Sequence, residues 1–71
     1  MQRGTKNHPA VGRRVEIPAW SDQWMRGARF GEIVSIIFPD KPFSIACVRL
    51  DHPQIRRIYR HQLEHMRLLD A

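Results

Sequence analysis

The 71-residue chain has one cysteine, one tyrosine, two lysines and no apolar run of membrane-spanning length, and each scarcity excludes something. A lone Cys47 cannot close an intrachain disulfide, so a cross-linked scaffold is ruled out and a reducing cytoplasm is the expected compartment. Its setting, SIACVRL, is an apolar mid-strand environment. That predicts a packed thiol, because a nucleophilic cysteine needs exposure and a lowered pKa. With no stretch near the ~20 apolar residues of a membrane helix, a bilayer-spanning segment is not expected. The opening MQRGTKNHPAVG also lacks the apolar region of a signal peptide. Repeats, low-complexity tracts and Gly-rich phosphate loops are absent.

What is present is arginine. Twelve Lys and Arg stand against seven Asp and Glu, a formal net charge of +5, and only Lys6 and Lys41 of the basic residues are not arginine. Arginine forks onto phosphates and stacks on flat rings, so the balance favours an acidic partner, nucleic acid first. Hydrophobic residues make up 42% of the chain, enough for a small core. A domain of this size buries no substrate cavity of its own.

Residues 1–12 contain Gly4, Pro9 and Gly12 among polar side chains without periodicity, which reads as a flexible basic arm ahead of one domain over 13–71. Four β-runs follow. Arg14-Val15-Glu16-Ile17 ends at Pro18, and after a tryptophan-bearing loop Gly31 opens the β-branched run Glu32 to Phe38. Pro39-Asp40-Lys41-Pro42 turns the chain into Phe43 to Leu50, where Ala46, Val48 and Leu50 share the face expected in the core. Asp51-His52-Pro53-Gln54 turns again into a fourth strand expected over Ile55 to Tyr59. His61 to Glu64 suits a single helical turn before a short fifth strand at Met66 to Leu68. These elements predict an all-β, five-stranded small barrel with one helical turn before the last strand.

In order of elements, the chain resembles Src-homology-3-like small barrels. These include KOW-like nucleic-acid modules, the small barrel subunit of photosystem I and plasmid-type (type II) dihydrofolate reductases. The likeness covers residues 12–69 and rests on VGRRVEI, GEIVSI and ACVRLD. The reductase resemblance implies a strand from each of four subunits lining a shared pore. Here Arg56-Arg57-Ile58-Tyr59 stands where that family has Val-Gln-Ile-Tyr, and Ile17 stands about where it has a substrate-assisting lysine. Arg57 in place of glutamine, with four copies facing one another, would repel across such a pore unless anions filled it. The resemblance therefore implies shared architecture without the enzyme's activity.

The stretch WSDQWMRGARFGEIV combines two tryptophans and two arginines just before a strand able to hold them. A barrel of this type brings its first loop near its fourth strand. Trp20, Trp24, Arg26 and Arg29 are thus expected to meet Arg56, Arg57, Tyr59 and Arg60 on one surface, with cations for phosphates and rings for bases. One tryptophan is expected to help hold the barrel, and Phe30 is expected in the core. His61 and His65 are four apart, but a helical turn this short is expected to have rotated His65 into the last strand, so no metal site is expected. The carboxylates are scattered, Ser35 and Ser44 have no base at hand, and neither an enzyme nor a cofactor is implied. The expected function is a non-catalytic binding module for RNA or DNA. A protein-docking subunit that offers the same Trp and Arg to an acidic surface, with Ile37, Phe38 and Ile45 exposed, is the alternative, and a reductase-like oligomer is a remote third.

Overall fold

The computed structural model describes Thr5 and residues 7–69. Strands β1 (Arg14–Glu16), β2 (Phe30–Ile37), β3 (Ile45–Leu50), β4 (Tyr59–Gln62) and β5 (Arg67–Leu69) form one curled antiparallel sheet in the order β4-β3-β2-β1-β5. A short helix α1 (Asp22–Met25) interrupts the first loop, and a single 3₁₀ turn at Leu63–His65 precedes β5. The expected all-β architecture, with its helical turn before the last strand, is the one the chain adopts.

Side-chain alternation explains which faces turn inward. On β3, Ala46, Val48 and Leu50 are buried as the period-2 pattern requires, and Cys47 on the opposite face is buried as well. On β2 the pattern changes phase. Ile33 pairs with Val48 and Ser35 with Cys47, so Val34 is an extra residue in a β-bulge. The bulge lets both Ile33 and Ile36, three apart, reach full burial, and it explains why this strand reads as an almost unbroken apolar run. Val15 and Ile17 from the first strand and Met66 beyond the 3₁₀ turn complete the same core.

Three expectations need correction. Phe30 is 40% exposed, because it pairs with Glu16 at the start of β2 while Gly31 takes the buried position beside it. Ile37, Phe38 and Ile45 are half-buried, not exposed, and Phe38 packs edge-on against Phe43 with ring centres 5.6 Å apart. Of the segment expected as a flexible arm, Met1 to Gly4 and Lys6 lie outside the described residues. Thr5 exchanges two backbone hydrogen bonds with Ile36 (2.7 and 2.9 Å), Gly12 N–H donates to the Ile33 carbonyl and Ala10 is buried, so these points are tied to β2.

The last correction matters most for the site. The strand expected over Ile55 to Tyr59 begins only at Tyr59, which pairs with Val48. Backbone bonding in the preceding turn is the reason: Ile55 N–H donates to the His52 carbonyl and Gln54 N–H to His52 Nδ1, so the turn consumes more chain than its four residues suggested. Arg56, Arg57 and Ile58 consequently run unpaired and exposed before β4 begins. Of the tetrapeptide compared with the reductase strand, only Tyr59 is strand.

Candidate functional site

The unpaired segment leaves an open groove of about 630 Å³ against α1. Local sequence explains how α1 comes to stand there. Ser21 caps it: its hydroxyl donates to the Pro18 carbonyl (2.8 Å) and accepts from the Trp24 amide (3.2 Å), one of the amides left unpaired at any helix start. Gly27 ends it in the left-handed region (φ +97°), donating its N–H to the Trp24 carbonyl at 3.0 Å. Arg26, at the last turn, is thereby directed to the groove's rim. Ala28, fully buried, and the Ile17 N–H to Arg29 carbonyl bond fasten the loop's return.

Arg26 meets Arg56, Arg57, Tyr59 and Arg60 around this groove, over a floor that includes Leu50 and Ile55. The expected approach of first loop and fourth strand is realised for these five residues. Gln23 and Gln54 also line it. Sequence reasoning missed both, since an isolated glutamine carries no spacing signal.

Charge distribution sets this surface apart. Three arginines away from it face carboxylates: Arg14 forks onto Asp51, with Nη1 3.2 Å from Oδ1 and Nη2 bonded to Oδ2, Arg49 faces Glu32 at 3.5 Å, and Arg67 faces Glu16 at 4.0 Å. Among the described residues no carboxylate lines the groove, and Arg26, Arg56, Arg57 and Arg60 form no ion pair. Four uncompensated guanidinium groups around one concavity produce a positive potential that attracts anions.

Trp20, Trp24 and Arg29 do not line the groove. Trp24 is partly buried against the core, and the Arg29 guanidinium lies over its ring at 4.9 Å, so the two satisfy each other. Trp20 is 67% exposed and belongs to a separate cluster. There His65 has not turned away into β5: His61 Nε2 lies 2.8 Å from His65 Nδ1, and Trp20 stands T-shaped to both imidazoles with centroids 6.4 and 5.9 Å away. His65 is the last residue of the 3₁₀ turn, which keeps it over His61. Among the described residues no group of three or more His, Cys, Asp or Glu could hold a metal ion.

Tyr59 joins the two clusters, lining the groove while stacking on His61 with centroids 6.0 Å apart and planes at 17°. Burial raises the Tyr59 pKa above its usual 10.0, partly offset by a hydrogen bond with the Ser21 side chain. Burial lowers that of His61 below 6.5, and the neighbouring His65 lowers it further. The groove therefore presents a neutral phenol among cations at neutral pH.

No family model, curated protein or solved structure matches the chain. Among the described residues no helix is long and apolar enough to cross a membrane.

Proposed function

We propose that this chain is a non-catalytic module of the cytoplasm that binds nucleic acid through the arginine groove. The observation that carries the reading is the segregation of charge: Arg14, Arg49 and Arg67 have carboxylate partners, while Arg26, Arg56, Arg57 and Arg60 converge without one. Guanidinium groups in this state favour phosphate, whose binding releases condensed counterions. The strand order and the helical turn before the last strand suit the Src-homology-3-like resemblance, which includes KOW-like nucleic-acid modules. Among the described residues the groove lining offers no histidine, carboxylate or cysteine to move a proton or attack a bond, so the reading assigns it binding rather than chemistry.

The test is fluorescence anisotropy of labelled oligonucleotides at low salt. Binding by the native chain, and its loss in the double variant Arg56→Glu, Arg57→Glu, is the expected result. Absence of binding by the native chain overturns the proposal. A second reading, docking onto an acidic protein, is favoured by the exposure of Trp20 and of Met25, 67% and 79%, at the two ends of the α1 region. Recovery of one protein partner from a native extract, unaffected by nuclease, would support that reading.

A further inference from the structure

The aromatic cluster beside the groove specifies the form of nucleic acid. We propose that the ligand is a single strand, its phosphates held along Arg26, Arg56, Arg57 and Arg60 and one of its unstacked bases laid on Trp20. The proposal rests on the nucleic-acid reading above and adds a constraint that the arginines alone do not supply.

Three observations converge on it. Trp20 keeps two-thirds of its surface open although it stands T-shaped against His61 and His65, and a ring already held in place loses little freedom when a base stacks on it. The row Tyr59, His61, Trp20 leads from the groove to that ring in steps of 6.0 and 6.4 Å. The groove floor includes Leu50 and Ile55, apolar surface suited to a sugar or base edge rather than to a hydrated counterion. Asp22, one residue before Gln23 on α1, does not line the groove, and the acid beside the Trp20 end is Glu64, whose carboxylate lies 3.8 Å from His65 Nε2.

A duplex fits the same surface poorly. Its base faces are stacked inside, which leaves Trp20 without a partner, and reading it from the major groove requires a helix or ribbon that can enter. The helix beside this groove, α1, has four residues and spans only about 6 Å. Phosphate contact alone would remain.

The experiment compares labelled oligo(dT) and oligo(U) with a duplex of equal length, using the full chain and its variants Trp20→Ala and Trp20→Phe in anisotropy titrations. Trp20 is exposed and outside the core cluster, so both variants should melt with the native chain, which circular dichroism checks. The expected result is single-strand binding at least tenfold tighter than duplex binding. Trp20→Ala should lose about tenfold on the single strand and nothing on the duplex, with Trp20→Phe close to native. Equal affinity for both forms, or an unchanged Trp20→Ala affinity, overturns the single-strand assignment and leaves the phosphate-binding groove standing. Failure of the native chain to bind either form overturns the nucleic-acid reading itself.

Discussion

At the scale of single residues, the closest constraint is at Gly31. A Cβ there would come within 2.5 Å of Val48 Cγ1 and 2.6 Å of the Arg49 carbonyl oxygen, and neither can yield without moving β3. Gly31→Ala should therefore cost ~3 kcal/mol in urea unfolding, the upper part of the range for overpacking, and a domain this small has little more to lose. Two titrations carry a definite sign. The raised pKa of Tyr59 means that its contribution is complete below pH 10 and is lost as pH climbs through the folded value. Tyr59→Phe should flatten that alkaline loss in denaturant titrations on either side of pH 10. The lowered pKa of His61 has the opposite sign: its contribution is present above pH 6.5 and fades as pH falls, and melting curves of His61→Gln should show a weaker acid dependence. Much of the residue-level picture is legible in the sequence, since the alternation of Ala46, Val48 and Leu50 marks the core face and the setting of Cys47 marks a packed thiol. Phe30 is not legible, because burial at the mouth of β2 is decided by what pairs across it rather than by its own apolarity.

At the scale of elements, the sequence places strands better than it places their ends. The β-rich composition and the turns identify all five, but pairing of β4 depends on how much chain the His52 turn absorbs, a matter of backbone hydrogen bonds that Asp51-His52-Pro53-Gln54 does not announce. That delay separates Arg56 and Arg57 from the sheet and opens the groove, so the feature with most bearing on function lies where pattern reading is weakest. The phase change at Val34 is hidden similarly, because a bulged strand that buries Ile33 and Ile36 reads simply as apolar. Ser21 is the residue type that caps helices, and its importance can be measured. Ser21→Ala removes the acceptor for the Trp24 amide and the hydroxyl bond to Pro18, at an expected cost of ~1 kcal/mol in unfolding free energy. Because α1 carries Arg26 to the groove, the same variant should also weaken oligonucleotide binding, whereas a substitution confined to the far turn, such as Lys41→Gln, should leave binding as it is.

At the scale of the whole molecule, what distinguishes this chain from any small basic protein is where its charge remains unneutralised. A formal charge of +5 spread over a surface would give weak, diffuse attraction to any polyanion. Pairing Arg14, Arg49 and Arg67 with carboxylates instead leaves four unpaired arginines gathered at one concavity. Salt dependence distinguishes the two situations. If four arginines each displace one phosphate counterion from a single strand, the logarithm of affinity should fall with the logarithm of salt at a slope of about −3, from about 0.7 per phosphate contact. Arg57→Gln should then lower the magnitude of the slope by about 0.7. Arg14→Gln, which removes the same formal charge from a residue already paired with Asp51, should leave the slope unchanged. Anisotropy titrations across a salt series read all three values directly. Equal changes from Arg57→Gln and Arg14→Gln would mean that net charge governs binding and that the groove does not.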